Sequence, residues 1–363
     1  MFILKAEKFY CNKATNLLPS NNTCKILKES KPFEFHRELL AYNCTPLESL
    51  NHLAKKFGVG KIFIKDESNR FGLHSFKALG ASYAIDQVLS KNKTIHTFCT
   101  ATEGNHGEAV AWATRLHNKN AVVYMSNHAA FNRIKTIESL GAKVVLVNKD
   151  YHATCKQAAI DAKKNNWQLV QDTALAKHES IPALIMAGYL THFLELETTL
   201  HVLPKPNIDF VFLQVGVGSW AAAAIWYYIN RYGKNRPIII LIEPDASDGM
   251  LASLRKGKRS KPNGNLNTVM AGLNCGIPSF CAWDIIKVGA DFSMCIKDDY
   301  AKQAAKELSC PINDDPKIWA GNSGATGLAG FFALMKDDEY KVLKNELGIN
   351  HTSRILFFNT EGI

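Results

Sequence analysis

The sequence predicts an α/β protein of two domains, each with a twisted parallel sheet that has helices on both faces. Short apolar runs alternate along the chain with longer stretches of helical periodicity, and this alternation is typical of parallel sheets. Several runs are β-branched and lack alternating polar residues, which indicates strands buried on both faces. A chain of 363 residues, of which 47% are hydrophobic, is long enough for two such domains.

The apolar runs define the individual strands, and the periodic stretches between them define helices. The predicted strands are residues 62–64, 97–100, 121–125, 143–147, 169–171, 210–215, 238–242 and 355–358. The predicted helices include residues 78–90, 107–116, 134–140, 156–164 and 181–196. One series ends near Ser180 and a second begins near Ile181, so we expect a small-molecule site in a cleft between two domains.

The composition disfavours several classes of protein. No run of about 18 apolar residues is present and the N-terminus lacks a signal-peptide pattern, so we expect a cytoplasmic protein without a membrane partner. The nine cysteines include no C-x-x-C pair, which disfavours disulfides and a metal site. The net charge is +10, but the densest basic run, residues 255–261, is typical of a solvated loop. Nucleic acid is therefore not expected as a partner.

Lys77 is the first candidate catalytic residue. It follows a polar turn and Phe76, at the predicted start of a helix. A lysine that is positioned and partly desolvated can act as an amine catalyst or form a Schiff base with a cofactor aldehyde. The alternative interpretation is a solvated lysine on a helix surface, since most lysines are exposed.

Two loops of small residues follow predicted strands. Residues 100–107 (TATEGNHG) precede a helix, where backbone N–H groups can approach an anion. Residues 215–219 (VGVGS) stand in the same position before another helical stretch and are typical of a phosphate-binding loop. Ala221 stands where a dinucleotide-binding pattern has its third glycine, so a lone phosphate is the remaining interpretation.

A Schiff-base lysine, a small-residue loop and a phosphate loop, in this order, are what pyridoxal phosphate requires. The chain resembles the fold-type II pyridoxal phosphate enzymes, which are similar to the tryptophan synthase β subunit, and within them the diaminopropionate ammonia-lyase family. The motifs are RFGLHSFK at 70–77, ATEGNHGEAVAW at 101–112, QDTA at 171–174, VGVGS at 215–219, MAGLNC at 270–275 and TEG at 360–362.

This resemblance implies pyridoxal 5′-phosphate as cofactor, a small amino acid as substrate and a homodimer. It also implies the domain boundaries. Residues 1–77 and 186–363 are expected to form a large domain that binds the cofactor phosphate, and residues 78–185 a smaller domain that closes over the substrate.

The resemblance further implies roles for single residues. The expected catalytic residues are Lys77, which joins the cofactor aldehyde and moves the proton, with Glu103 and Asp172 as acids near the substrate. The residues expected to bind the cofactor are Phe76, Lys77, Asn105, Gly216, Val217, Gly218, Ser219 and Thr360. Those expected to bind the substrate are Thr102, Gly104 and His106. A neutral Thr360 hydroxyl facing the pyridine nitrogen favours elimination over transamination.

The implied reaction is the α,β-elimination of 2,3-diaminopropionate to pyruvate and ammonia. Several positions depart from the family pattern: Ile277 and Asn322 replace acids, Asn359 replaces a serine, and the chain ends at Ile363, soon after the TEG motif. Two alternatives therefore stay open. One is a related enzyme that eliminates or replaces a β substituent on serine or threonine. The other is a catalytically weakened or non-catalytic protein that binds pyridoxal phosphate.

Glu103 stands where the family has an aspartate that is implied as the base for the D-isomer. One extra methylene moves the carboxylate by about 1.5 Å, and a displacement of this size can cost about 100-fold in rate. We therefore expect weaker handling of the D-isomer of 2,3-diaminopropionate. Steady-state kinetics compare kcat/KM for the two enantiomers, and equal values would contradict the expectation.

Overall fold

The computed structural model describes residues 8–102, 104–127, 129–148, 151–173, 179–201 and 203–363. The chain divides into two compact units. The first unit consists of Met1–Ser20, Cys44–Asn69 and His192–Ile363. The second consists of Asn21–Asn43 and Arg70–Thr191.

Strands and helices alternate over most of the described chain. The strands are β1 Phe9–Cys11, β2 Leu47–Ser49, β3 Lys61–Asp66, β4 Thr97–Ala101, β5 Asn120–Ser126, β6 Lys143–Val147, β7 Gln168–Leu169, β8 Phe210–Gln214, β9 Ile238–Pro244, β10 Phe292–Ile296 and β11 Arg354–Asn359. The first helices are α1 Asn22–Glu29, α2 Pro32–Arg37, α3 Asn51–Phe57, α4 Lys77–Lys91, α5 Asn105–Leu116, α6 Phe131–Ser139, α7 Tyr151–Asn165 and α8 Ser180–Gly188. The later helices are α9 Leu190–Glu195, α10 Ser219–Tyr232, α11 Gly249–Lys256, α12 Phe280–Gly289, α13 Asp298–Ser309, α14 Thr326–Lys336 and α15 Lys341–Leu347.

The first unit is built on a mixed sheet. Seven of the described strands form it, in the order β1-β10-β9-β8-β11-β3-β2. The edge strands β1 and β2 pair antiparallel with β10 and β3, and the interior pairs are parallel. Every residue of β8 is buried, as the unbroken apolar run predicts for a strand covered on both faces. The carboxyl ends of the parallel strands therefore lie along one edge of the sheet.

The second unit is built on a smaller sheet. Four described strands form it, in the order β6-β5-β4-β7, and all neighbours are parallel. Alternate residues of β5 pack into different cores: Val122 and Tyr124 pack with residues of α7, whereas Val123 and Met125 pack with residues of α5 and α6. Both faces of this sheet are thus covered by helices, and the α/β fold class is confirmed.

Each predicted strand is present, but some elements were not predicted. The strands β1 and β2 are three residues long, and Ser293 interrupts the apolar pattern of β10. The predicted helix over residues 181–196 is interrupted at Tyr189, which separates α8 from α9.

The two compact units depart from the predicted domain ranges. Residues 21–43, 70–77 and 186–191 group with the second unit because α1 packs against α8, and α2 packs against α4 and α8. In the described part of the chain, no helix is long and apolar enough to cross a membrane.

Phe212 lies at the centre of the first unit's core. Its side chain is fully buried on β8, and its ring lies 5.8 Å from that of Phe331 and 5.3 Å from that of Phe357. We expect Phe212→Ala to lower the free energy of unfolding by about 3–5 kcal/mol, because it removes apolar contacts and leaves a cavity. Urea unfolding measures this loss. The control Phe131→Ala removes a side chain that is 68% exposed, so similar losses for both variants would contradict the assignment.

Candidate active site

Lys77 is held by a buried acid in the second unit. It is the first residue of α4, and its Nζ donates a hydrogen bond to Asp172 Oδ2 at 2.7 Å. The side chains are 23% and 11% exposed, so both are shielded from most solvent. The alternative of a solvated lysine on a helix surface is therefore wrong.

Asp172 is a carboxylate in this environment. Burial alone would raise its pKa, but the Lys77 ammonium, His106 and the hydrogen bonds from Lys77 and Thr173 hold the pKa well below its ordinary value. A buried carboxylate with a cation at hydrogen-bond distance stays ionised at neutral pH. The pair can therefore orient the Lys77 amine and stabilise its protonated form.

Gln171 fixes the segment that carries Asp172. Its side chain forms two hydrogen bonds with the backbone of Ala101, accepting from the N–H at 3.1 Å and donating to the carbonyl at 3.0 Å. It also accepts a hydrogen bond from the Thr100 hydroxyl at 3.1 Å. These bonds attach the chain after β7 to the end of β4. They hold Asp172, the next residue, near the loop that follows β4.

The side chain of Thr102 stabilises the loop after β4. Thr102 Oγ1 accepts hydrogen bonds from the backbone N–H groups of Gly104 at 2.9 Å and Gly107 at 3.2 Å. Both acceptor positions of the hydroxyl are occupied by described residues, so the hydroxyl can act towards a further group, such as an anion, only as a donor. The loop leads directly into α5, whose first residue is Asn105. This arrangement agrees with the predicted anion-binding loop.

His106 is buried and neutral. Its Nε2 lies 3.0 Å from the Val170 carbonyl, which fixes the ring proton on Nε2 because a carbonyl can only accept. Burial lowers the pKa of His106, and the charge of Lys77 adds to this effect while Asp172 opposes it. Nδ1 has no hydrogen-bond partner among the described residues. This neutral ring offers a lone pair at Nδ1, so it would have to be protonated before Nδ1 could donate to a substrate carboxylate.

The glycine-rich loop lies in the first unit, between β8 and α10. Gly218 has φ +97°, and a Cβ at this position would lie 2.7 Å from Met250 Cε and 2.8 Å from Ile286 Cδ1. Only glycine fits this conformation and this space. Ser219 then begins a helix of 14 residues, whose N-terminal N–H groups favour an anion.

Gln214 and Thr360 meet at the carboxyl ends of β8 and β11. The Gln214 amide nitrogen lies 3.0 Å from the Gly324 carbonyl, 2.9 Å from the Phe358 carbonyl and 2.9 Å from Thr360 Oγ1, and its two N–H groups are shared among these three acceptors. The two carbonyls fix the orientation of the amide. Since the amide nitrogen can only donate, the Thr360 hydroxyl accepts from it and can act as a donor towards another group, such as a ring nitrogen.

Comparison with known proteins agrees with this geometry. Residues 39–345 match the family model described as "Pyridoxal-phosphate dependent enzyme". The chain is 34% identical to the diaminopropionate ammonia-lyase of Escherichia coli strain K12, over 98% of this chain and 92% of that protein. The chain belongs to the diaminopropionate ammonia-lyase family of pyridoxal phosphate-dependent enzymes.

Solved structures of this lyase family have the same fold. The E. coli enzyme in complex with an aminoacrylate-PLP azomethine reaction intermediate matches with a TM-score of 0.88 and 34% identity, over 98% of this chain and 93% of that one. The same enzyme in complex with D-serine matches with a TM-score of 0.87 and 33% identity, over the same shares of the two chains.

The described residues of each unit fit the cofactor of this lyase family. In the first unit, the loop of residues 215–219 is suited to the phosphate, and the Thr360 hydroxyl, which accepts from Gln214, is suited to donate to the pyridine nitrogen. In the second unit, Lys77 is suited to the aldehyde, and Phe76 lies beside it, with Lys77 Nζ 5.5 Å from the centre of the Phe76 ring. These binding roles stay predictions.

The structure brings several predicted residues together. Within the second unit, Lys77, Asp172 and His106 are close enough to affect one another's ionisation. Within the first unit, Thr360 and the strand that precedes the glycine-rich loop are joined through Gln214. Glu103 lies outside the described residues.

The departures from the family pattern lie in different environments. Ile277 is 41% exposed, so its side chain is not part of the hydrophobic core. Asn359 is fully buried and donates from its amide nitrogen to Asp66 Oδ1 at 2.8 Å and to the Trp319 carbonyl at 3.3 Å. Because the Asn359 amide nitrogen is used in these bonds, Thr360 is the better partner for a ring nitrogen.

Sequence reasoning missed the contacts of Gln214. Gln214 ends an otherwise apolar strand, and a polar residue at the carboxyl end of a buried strand is a signal that could have identified it.

Gly218→Ala tests the phosphate loop. A left-handed conformation costs alanine about 1–2 kcal/mol, and the added methyl group would also contact Met250 and Ile286. We expect this variant to bind pyridoxal phosphate at least about tenfold more weakly, as measured by an absorbance titration of cofactor-free protein. The control Gly257→Ala has φ +64° and open space around it, so it should keep normal affinity. Equal losses in both variants would argue against a phosphate site at residues 215–219.

Proposed function

We propose that this protein eliminates ammonia from 2,3-diaminopropionate with pyridoxal phosphate as cofactor and releases pyruvate and a second ammonia. The observation that carries the proposal is the 2.7 Å ion pair between Lys77 and Asp172, which supplies a shielded amine base with a fixed partner. The substrate assignment rests on the similarity to the E. coli diaminopropionate ammonia-lyase, at 34% identity over nearly the whole chain.

Lys77 carries the proton in this reaction. Its amine accepts the Cα proton of the substrate as a general base, and it returns the proton later as a general acid. When bound, pyridoxal phosphate supplies the sink for the electron pair released at Cα. The position of Lys77 at the start of α4 fixes where its side chain begins, and Asp172 fixes where its amine points.

Asp172 has two tasks. It stabilises the ammonium form of Lys77 after proton transfer, and its negative charge attracts the ammonium group at Cβ of the substrate. Both tasks require a carboxylate, and the lowered pKa of Asp172 keeps it ionised at neutral pH.

The remaining site residues bind and orient the cofactor and the substrate. We assign the phosphate to Gly216, Val217, Gly218 and Ser219, the phenolic oxygen to Asn105, and the ring nitrogen to the Thr360 hydroxyl. A hydroxyl donor leaves the ring nitrogen unprotonated, which favours elimination. We assign the substrate carboxylate to Thr102, Gly104 and His106. The Thr102 hydroxyl provides one donor, and the His106 ring can provide another only when Nδ1 is protonated.

The overall reaction balances without an added oxidant or reductant. The Cα–H bond breaks and the proton passes to Lys77, then the Cβ–N bond breaks and its electron pair leaves with ammonia. One water molecule is consumed when the second nitrogen is released, so one diaminopropionate gives one pyruvate and two ammonia molecules.

A second candidate is β-elimination from serine or a similar amino acid. Ile277 and Asn322 are uncharged, and a substrate with a neutral β hydroxyl needs fewer acids than one with a β ammonium group. The E. coli relative has been solved in complex with D-serine, which supports testing this substrate class. A weakened homologue remains the third possibility for the same site.

We also propose that the first unit binds the cofactor phosphate, since residues 215–219 belong to it, and that the second unit closes over the substrate. A homodimer and a cytoplasmic location stay predictions from the sequence.

Product analysis separates these candidates. Protein loaded with pyridoxal phosphate is incubated with L- or D-2,3-diaminopropionate or with L-serine, and pyruvate and ammonia are measured. We expect a higher kcat/KM for diaminopropionate, with two ammonia molecules per pyruvate. Lys77→Ala should reduce turnover by at least about 10³-fold, since it removes both the cofactor attachment and the general base.

A higher kcat/KM for serine would favour the second candidate. Cofactor binding without release of pyruvate from any of these substrates would favour the weakened homologue.

A further inference from the structure

Tyr189 lies against the first turn of α4, the helix that begins with Lys77. It is fully buried at the interruption between α8 and α9, and its ring centre lies 4.8 Å from that of Phe76. Phe76 directly precedes Lys77 in the chain. The tyrosine ring thus packs against the residue that leads into the catalytic lysine.

Two glycines allow this close contact. A Cβ at Gly80 would lie 2.5 Å from Tyr189 Cε1, and a Cβ at Gly188 would lie 2.3 Å from the Leu79 carbonyl oxygen. No larger residue fits either position without a shift of the backbone or the ring. The two glycines therefore bring α4 and the end of α8 together and place the tyrosine one helical turn from Lys77.

The Tyr189 hydroxyl is unusual for a buried polar group. It has no hydrogen bond of ordinary geometry with a described residue, and a buried hydroxyl without such a partner is normally disfavoured. Its charged neighbours are Lys77 and Asp172. Burial raises the pKa of the phenol, and the charge of Asp172 adds to this. The charge of Lys77 and a weak hydrogen-bonding contact with its amine oppose it, and the net result is a raised pKa. The phenol is therefore neutral at neutral pH.

A neutral lysine amine has two N–H donors and one lone pair. One N–H is directed to Asp172 in this structure. If a second oxygen accepts the other N–H, the lone pair can point only in the remaining direction, which is what a base needs in order to meet a Cα proton. The Tyr189 oxygen is the buried oxygen beside the pair that has no other partner among the described residues.

We propose that Tyr189 is a positioning residue for Lys77: the Tyr189 hydroxyl oxygen accepts a hydrogen bond from the neutral Lys77 amine, and the Tyr189 ring fixes the first turn of α4. This inference rests on the proposed function of Lys77 as the proton carrier. Tyr189 acts through Lys77 and does not itself exchange a proton with the substrate.

The test is Tyr189→Phe, which keeps the ring and removes the hydroxyl. The matched control is Tyr232→Phe, because the Tyr232 hydroxyl is also buried without a hydrogen-bond partner among the described residues but belongs to the other unit. Both variants are compared with wild type as holoenzymes. The readouts are the thermal midpoint, kcat/KM with diaminopropionate, the isotope effect with α-deuterated substrate, and the pH titration of the bound cofactor's absorbance.

We expect Tyr189→Phe to keep the wild-type thermal midpoint and to bind the cofactor. Its kcat/KM should fall about tenfold or more, as expected for the loss of one hydrogen bond to the reacting amine. The isotope effect should rise, because removal of the Cα proton becomes slower relative to the other steps, and the absorbance titration should shift. Tyr232→Phe should match wild type in all four measurements.

A wild-type isotope effect and titration in Tyr189→Phe would overturn the proposal, even if kcat/KM fell. Gly80→Ala provides a second variant, since it keeps the hydroxyl but displaces the ring, and it should shift the same two readouts. The two hypotheses can fail separately. A wild-type enzyme inactive on diaminopropionate would contradict the proposed function, whereas a titration shift in Tyr189→Phe and Gly80→Ala, but not in Tyr232→Phe, would still support the role of Tyr189.

Discussion

The ion pair between Lys77 and Asp172 is the interaction on which the chemistry of this protein depends. A lysine alone at the start of a helix is an ordinary solvated cation, and an aspartate alone in the interior is costly. Together they form a shielded pair at 2.7 Å in which each charge compensates the other. Neighbouring contacts hold both members of the pair in place. Gln171 is hydrogen-bonded to β4 and thereby fixes the segment of Asp172, and Tyr189 packs against Phe76 at the start of the helix that begins at Lys77.

The proposed function sets a different requirement for the first unit, which is to present donors to an anion and to a ring nitrogen. The glycine-rich loop brings backbone N–H groups to the start of α10, where a helix terminus favours negative charge. Gln214 orients Thr360 by donating a hydrogen bond to its hydroxyl. In the proposed function, this leaves the Thr360 proton for the ring nitrogen of the cofactor.

The residues assigned to the cofactor follow the family pattern, whereas most departures occur at positions expected to face the substrate. Ile277 and Asn322 remove two negative charges, and Glu103 keeps its charge on a longer side chain. Asn359 is the departure that lies beside a residue assigned to the cofactor, Thr360. The loss of acids at the substrate positions is the reason that serine stays a second candidate beside 2,3-diaminopropionate.

The sequence by itself determined the α/β class, the predicted strands, and the lysine and loops that identify the cofactor. These signals are local: β-branched runs and glycines before helices depend on neighbouring residues. The short edge strands, the unit boundaries and the partners of each site residue depend on the tertiary structure. Asp172 is 95 residues from Lys77, and Thr360 is 146 residues from Gln214. Parallel strands are joined by long crossovers, so the residues that meet at their ends are distant in the chain, and only the folded packing decides which of them touch.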